Sequence, residues 1–129
     1  NDNSSATLLV IYASWCKHCV KNFPLIINIV NKYPELNPVF ISLDENQKAL
    51  ENFLSRTKKI SFPPYRAPPS DTDVMFELLS EIKKRNCNFG GGIPYMAVLN
   101  KNGFMETEGR NIRSIELCIK KLVSNNGVL

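Results

Sequence analysis

Apolar side chains near the start of the chain follow two successive periodicities. The run Leu8–Ala13 has no polar alternation after Thr7, which is typical of a strand buried on both faces in a parallel sheet. From Cys16 onward the apolar positions recur every three to four residues, which predicts a helix ending at about Tyr33. A second apolar run, Val39–Leu43, follows that helix. The pattern therefore predicts a strand–helix–strand unit with parallel strands and a right-handed crossover.

The middle of the chain is predicted to hold two helices separated by a proline-rich loop. Asp44 with Gln47 three residues later resembles a capping box, and the apolar spacing behind it predicts a helix ending near Arg56. The segment 61–70 contains four prolines, so we expect it to be extended or turned, with little regular hydrogen bonding. An apolar stripe after Ser70 predicts the next helix.

The last part of the chain is predicted to form a hairpin followed by a helix. Tyr95–Leu99 is an apolar strand, and the Asn102-Gly103 pair is typical of a two-residue hairpin turn. Phe104–Thr107 should then return antiparallel to that strand. A final amphipathic helix is predicted to end near Ser124. The chain is thus predicted to form a parallel pair of strands first and a hairpin second, with helices covering both faces of the sheet. This arrangement indicates an α/β fold.

Composition narrows the class of protein. A chain of 129 residues that is 43% hydrophobic and 22% charged is predicted to be a single domain, 1–129, with a substantial core. Its longest apolar run is too short to span a bilayer. The net charge of +4 comes from separate basic clusters near predicted helix ends, where cations complement the helix dipole. We therefore expect no nucleic-acid partner.

The four cysteines are unevenly spaced. Cys16 and Cys19 lie close together, whereas Cys87 and Cys118 stand alone. A chain this long does not need disulfide staples, and four thiols are few for that class of protein. Cys118 lies on the apolar stripe of the last helix and is expected to be a buried structural thiol. Cys87 is expected to be unpaired. The alternatives are that it lies close to the active site or that it pairs with Cys118.

The candidate chemistry lies in Trp15-Cys16-Lys17-His18-Cys19, where the buried strand turns into a helix. Unpaired amides and the helix dipole stabilise a thiolate at a helix N-terminus, and Lys17 and His18 act in the same direction. Cys16 is therefore the predicted nucleophile. Cys19, one turn later and shielded by the helix, is the predicted resolving thiol. This pair can perform thiol–disulfide exchange without a bound cofactor, its redox group being the Cys16–Cys19 disulfide itself.

The pair has three other interpretations. Half of a zinc site would need two further ligands, and the remaining cysteines and His18 do not repeat the close spacing typical of structural zinc. Inert core cysteines are disfavoured at a strand-to-helix junction. A binding module of another class would use a groove beside Ile93-Pro94 to hold a peptide, with the cysteines only stabilising the fold.

Further motifs appear in the order found in one family. Pro24 stands eight positions after Cys16, and Ile93-Pro94 opens a late hairpin strand. With the Trp-Cys-X-X-Cys motif, these features make the chain resemble the thioredoxin superfamily over most of its length. The resemblance implies an α/β thioredoxin-like fold, with a mixed four-stranded sheet flanked by helices and a helical insertion, 57–92, close to the active site. Substrate choice is expected to reside in that insertion.

The resemblance also implies roles for the Gly92-Ile93-Pro94 segment. Pro94 should be cis and pack against the cysteine pair, supporting it together with Trp15, Lys17 and His18. The backbone of Ile93, with its neighbours Gly92 and Pro94, should pair with an extended substrate peptide.

Within the superfamily, the segment Cys16–Pro24, the loop at Asp44 and the Phe62-Pro63 stretch look most like the TlpA, ResA and DsbE branch. Ile41–Asn46 also looks like tryparedoxins and nucleoredoxins, the second choice. Two positions depart from the family pattern where other members have carboxylates that take part in proton transfer. Val10 stands where thioredoxin has a buried aspartate, and Asn22 where ResA-like proteins tend to have a glutamate. Both missing carboxylates would have managed the proton of the resolving thiol.

The branch resemblance implies partners and a compartment. We expect protein thiols and disulfides as substrates, an upstream thiol as electron donor, a monomer, and a bacterial periplasmic or otherwise extracytoplasmic site, with the cytoplasm as the alternative. Membrane contact would come only from an anchor upstream of Asn1. The positive charges at Lys17 and His18 favour the reduced form, which makes a protein more oxidising. The family resemblance instead favours a reductase. The resulting prediction is a reductase or isomerase of intermediate potential, with net oxidation as the alternative.

Overall fold

The computed structural model describes residues 5–57 and 60–127. In this part of the chain a mixed sheet of five strands is flanked by four helices. The strands are β1 (Ala6–Tyr12), β2 (Leu36–Ser42), β3 (Tyr65–Arg66), β4 (Tyr95–Asn100) and β5 (Met105–Gly109). The helices are α1 (Lys17–Lys32), α2 (Gln47–Ser55), α3 (Thr72–Lys84) and α4 (Ile112–Gly127). No helix among the described residues is both long and apolar enough to cross a membrane.

The sheet has the order β3-β2-β1-β4-β5. β1 pairs in parallel with β2 and antiparallel with β4, and β4 pairs antiparallel with β5. β1 is therefore central, as its unbroken apolar run predicted. The α/β class, the parallel strand–helix–strand unit and the late hairpin are all confirmed.

The two faces of β1 bury separate clusters. Val10 and Tyr12 face a core shared with α1, α2 and α4, whereas Leu9 and Ile11 face a second core beneath α3. All four side chains are at most 4% exposed. Burying a large apolar side chain stabilises the fold by about 1.5–3 kcal/mol. The two-sided packing therefore fixes the position of the strand end that leads into the cysteine pair.

The sheet has one strand more than the four predicted. Tyr65–Arg66, inside the proline-rich segment, pairs in parallel with Ile41 and Ser42 of β2, and the Ala67 N–H donates to the Ser42 carbonyl at 2.8 Å. The segment is extended, as predicted, and its regular hydrogen bonding is confined to this short strand, which was not predicted. Prolines impose an extended backbone, and two residues between them suffice for a short edge strand.

Two local predictions also need correction. The hairpin turn is longer than Asn102-Gly103: the Asn100 N–H donates to the Phe104 carbonyl at 2.9 Å, so three residues form the loop. Gly103 has φ +88° there, the left-handed conformation that closes such a turn with a bulge. Asp44 is not the cap of α2. That cap is Asn46, whose side chain accepts the Ala49 N–H at 3.0 Å.

Candidate active site

The loop from β1 to α1 carries the cysteine pair. Cys16 is the N-cap of α1, with extended backbone angles, and its Sγ accepts the Cys19 N–H at 3.3 Å. Its carbonyl accepts the Val20 N–H at 3.0 Å. The predicted strand-to-helix junction is confirmed, and the first helical residue is Lys17. The Cys16 sulfur thus occupies the place where a capping oxygen usually satisfies unpaired helix amides.

The two thiols differ in exposure. Cys16 is 9% exposed, and Cys19 is fully buried. Burial raises the pKa of the Cys19 thiol to about 12, and its hydrogen bond with Cys16 adds to this effect. Trp15, Lys17 and His18 are exposed around them. The predicted nucleophile is thus the more accessible of the two thiols, and the predicted resolving thiol is the buried one with the raised pKa.

The segment before β4 lies directly against this pair. The Ile93-Pro94 peptide bond is cis, as the family resemblance implied. The Cys16 thiol faces the Ile93 carbonyl oxygen, at 3.8 Å from sulfur to oxygen. Gly92 is exposed, Ile93 is half-buried and Pro94 is buried. The structure thus brings the predicted peptide-binding backbone and the predicted nucleophile together, and leaves Gly92 open to solvent.

A buried carboxylate braces the active-site loop. Asp44 is 1% exposed. It accepts the Ser14 N–H at 2.9 Å and the Ser14 hydroxyl at 2.6 Å, and the Ser42 hydroxyl also donates to it. Since Ser14 lies two residues before Cys16, Asp44 fastens this loop to the end of β2. The signal for this role was that parallel β1 and β2 end at the same edge of the sheet.

Two further side chains near Cys19 were not singled out from the sequence. Burial raises the pKa of the Tyr12 phenol, and the negative charges of Asp44 and of an ionised Cys19 act in the same direction. The positive charge of Arg110 lowers the pKa of Cys19, against the larger effect of burial. The Arg110 guanidinium lies against the open face of Gly92. A cation therefore lies beside the segment before β4 and acts electrostatically on Cys19.

The positions of the two missing carboxylates hold neutral groups. Val10 is fully buried in the core. The Asn22 side-chain amide donates to the His18 carbonyl at 2.8 Å. Neither residue can accept the Cys19 proton.

The other two cysteines lie on opposite faces of the sheet. Cys87 is 5% exposed and belongs to the core beneath α3, whereas half-buried Cys118 packs against the core on the α1 side. Burial raises the pKa of both thiols. The alternative of a Cys87–Cys118 pair is wrong, because the sheet separates them. Among the described residues, no three His, Cys, Asp or Glu side chains are grouped where they could hold a metal ion.

The chain is similar in fold to several solved structures. One is a thiol:disulfide interchange protein of the thioredoxin family from Chlorobium tepidum, with 19% identity, coverage of 95% of this chain and 82% of that chain, and a TM-score of 0.69. StoA from Bacillus subtilis has 23% identity, coverage of 91% and 83%, and a TM-score of 0.64. A secreted Mycobacterium tuberculosis disulfide oxidoreductase homologous to E. coli DsbE has 12% identity, coverage of 91% and 81%, and a TM-score of 0.67.

The sequence itself matches a family model. No curated protein matches the chain. The model described as thioredoxin-like matches residues 3–105, which include the cysteine pair, the Asp44 loop and the cis proline. This match and the fold agree with the superfamily resemblance seen in the motifs. The chain belongs to the thioredoxin-like family.

Proposed function

We propose that the protein is a thiol–disulfide oxidoreductase that exchanges disulfides with protein thiols through Cys16 and Cys19. The observation that carries the proposal is the place of the Cys16 sulfur. It caps α1, accepts the Cys19 N–H at 3.3 Å, and faces the Ile93 carbonyl at 3.8 Å. A thiolate at this point is stabilised by the helix amides and lies beside backbone that can pair with a peptide.

The reaction needs only the two thiols and a substrate disulfide. The Cys16 thiolate attacks one substrate sulfur, a Cys16–substrate disulfide forms, and the substrate S–S bond breaks to release a thiolate that takes a proton. Cys19 then loses its proton and attacks the Cys16 sulfur. The substrate leaves with both sulfurs reduced, having gained two electrons, and the protein keeps the Cys16–Cys19 disulfide. A dithiol donor must reduce that disulfide before the next cycle.

The direction we propose is reduction or isomerisation of substrate disulfides. Two considerations oppose each other here. Lys17 and His18 next to the pair, with Arg110 nearby, favour the reduced form, which makes a protein more oxidising. The family resemblance favours a reductase. Together they give a potential between those of thioredoxin, about −270 mV, and DsbA, about −120 mV.

Equilibration with glutathione buffers tests the proposal. We expect Cys16 and Cys19 to interconvert with a disulfide in one two-electron transition, measured by mass after alkylation. Cys19→Ser should not form this disulfide. If no reversible disulfide appeared at any glutathione ratio, the proposed disulfide exchange would be contradicted. The alternative function as a peptide-binding module would then remain. A potential as low as that of thioredoxin would contradict the electrostatic argument, and one close to that of DsbA would favour net oxidation.

The rate of resolution is expected to depend steeply on pH. Burial holds the pKa of Cys19 at about 12 in the dithiol form, so only a small fraction is ionised near neutrality. Because only the thiolate attacks, this fraction, and with it the rate, should rise about tenfold per pH unit between about pH 7 and 9. The measurement is the release of a chromogenic thiol from a mixed disulfide on Cys16.

Cys19→Ser provides the control for that measurement, since it should release no chromogenic thiol at any pH. A plateau below about pH 8 in the parent protein would contradict the expectation. It would mean that burial does not control the ionisation of Cys19 once Cys16 is in the mixed disulfide.

We place the protein outside the cytoplasm, acting as a monomer on other proteins and receiving electrons from an upstream thiol donor. Support for the compartment comes from the resemblance to the TlpA, ResA and DsbE branch and from the secreted M. tuberculosis oxidoreductase that shares the fold.

A further inference from the structure

The pairing of β4 with β5 places Arg110 next to the candidate active site, although Arg110 is distant from the cysteine pair in the sequence. Gly109, the last residue of β5, pairs with Met96, which lies two residues after Pro94. The next residue, Arg110, therefore reaches the segment before β4. Its Nη2 lies 2.5 Å from the position that a Cβ on Gly92 would occupy. The glycine thus leaves room for the guanidinium beside the backbone that precedes Ile93.

Arg110 has no anionic partner in the part of the chain that the structure describes. The ion pairs found there are Lys32–Glu116 and Arg85–Glu81, both elsewhere. Arg110 is exposed, and its guanidinium takes part in no hydrogen bond among the described side chains. An exposed arginine next to a peptide-binding backbone presents five donors in a fixed fork that fits a carboxylate.

The exposed charged side chains next to the cysteine pair in the sequence are also basic. Lys17 is exposed at the start of α1, and His18 beside it becomes cationic when protonated. Asp44, which holds Ser14 at the start of this loop, is buried and occupied by its serine donors. Exposed Trp15 adds an apolar surface next to Cys16. This end of the molecule therefore offers cations and one aromatic ring to an approaching peptide.

From this arrangement we infer that Arg110 is a specificity-determining residue that selects substrate segments with an acidic side chain close to the reacting cysteine. The inference rests on the proposed function. A peptide paired with the backbone of Ile93 extends past Gly92, so the guanidinium meets a side chain next to the substrate cysteine. A carboxylate there forms an ion pair, whereas a lysine there is repelled.

Three matched disulfide peptides test the inference, with Asp, Asn or Lys beside the reacting cysteine. For the parent protein we expect kcat/KM in the order Asp, Asn, Lys. The loss of the Arg110 charge near Cys19 affects all three peptides equally, so the readout is a ratio between peptides. Arg110→Gln should lower kcat/KM for the Asp peptide relative to that for the Asn peptide by about twofold to fivefold, the range for an exposed ion pair. Arg110→Glu should reverse the order. Added salt should shrink the differences.

Arg113→Gln is the matched control, because it removes the same charge from an exposed position in the first turn of α4. Arg113 lines a surface cavity with Lys32 and Glu116, at the far end of α1 from the cysteine pair. We expect it to keep the parent order of the three peptides. An equal loss for all three peptides in Arg110→Gln would overturn the inference, since the arginine would then act only through Cys19.

A binding measurement separates this inference from the proposed function. Trp15 is the only tryptophan in the chain and lies exposed next to Cys16. Its fluorescence can follow binding of the same peptides with their cysteines replaced by serine. Tighter binding of the Asp peptide, lost in Arg110→Gln, would support the specificity even if exchange failed. Equal affinities for all three peptides, in a protein that turns over disulfides, would overturn the specificity alone.

Discussion

Replacing Cys16 with serine should lower the turnover of a protein disulfide by about a thousandfold or more, since this removes the attacking nucleophile. A serine hydroxyl is not ionised near neutrality and forms no disulfide. The serine can still cap α1 through its oxygen, so the fold should be preserved. The measurement is the rate of insulin reduction with a dithiol donor, together with the urea midpoint as a check on folding.

Cys19→Ser should also lose turnover, for a different reason. Its Cys16 remains able to attack, but the mixed disulfide is no longer resolved from within the protein. We expect a substrate adduct on Cys16 that gains the mass of the partner and is released by dithiothreitol. The double variant Cys16→Ser, Cys19→Ser should form no adduct.

Cys118→Ser is the matched control for both variants, because this half-buried thiol lies on α4 and takes no part in the proposed reaction. It should keep the parent rate within about twofold, as is usual for changes that leave reacting groups in place. Full activity in Cys16→Ser would exclude Cys16 as the nucleophile. An adduct in the double variant would assign attack to another cysteine.

Local patterns were sufficient to predict most of the site. The buried strand, the helix behind it and the cysteine spacing all lie within the first third of the chain, where short-range periodicity determines the structure. The cis Pro94 bond is a different case. Spacing alone describes a proline at the start of a strand, and most X-Pro bonds are trans. That feature was predicted because the motifs resemble a family, and the structure confirms it.

Asp44 shows why long-range contacts are harder to predict. An aspartate followed three residues later by glutamine fits a capping box, so the local pattern had a satisfactory explanation. Its actual donor, Ser14, is 30 residues away. Only the pairing of β1 with β2 brings the two strand ends together. Asn46, two residues later, caps α2, which leaves the Asp44 carboxylate available for the loop.

Arg110 and β3 were missed for related reasons. The pairing of β5 with β4 brings Arg110 to Gly92, and no periodicity near residue 110 indicates that neighbour. Tyr65–Arg66 is too short to produce an alternating pattern, and the adjacent prolines indicate a loop equally well. In both cases the position of the residue follows from the completed sheet.

Removing the Asp44 carboxylate should destabilise the fold substantially. Asp44→Ala leaves the Ser14 N–H and the Ser14 and Ser42 hydroxyls without their acceptor in a buried site. A buried donor without an acceptor costs about 1–3 kcal/mol. The costs of several donors that share one acceptor do not simply add. We therefore expect the free energy of unfolding to fall by about 2–4 kcal/mol, measured by urea denaturation of the reduced protein.

Asp73→Ala is the matched control, because it removes an exposed aspartate from the first turn of α3. It should cost no more than about 1 kcal/mol, the usual range for a charge near a helix N-terminus. Equal losses in Asp44→Ala and Asp73→Ala would contradict the bracing role. The loss of unfolding free energy in Asp44→Asn should lie between the losses in these two variants. The amide oxygen still accepts a hydrogen bond, but the NH₂ group needs acceptors of its own.

A double-mutant cycle separates loop bracing from a general loss of stability. Ser14→Ala removes the hydroxyl bond at 2.6 Å but keeps the Ser14 N–H bond to Asp44. If the two residues act together, the losses in Ser14→Ala and Asp44→Ala should be less than additive by about 0.5–3 kcal/mol. Both variants should also slow disulfide exchange under conditions where they remain folded, because Ser14 positions the residues that lead into Cys16. Additive losses with unchanged exchange rates would mean that Asp44 stabilises the sheet edge without holding the loop.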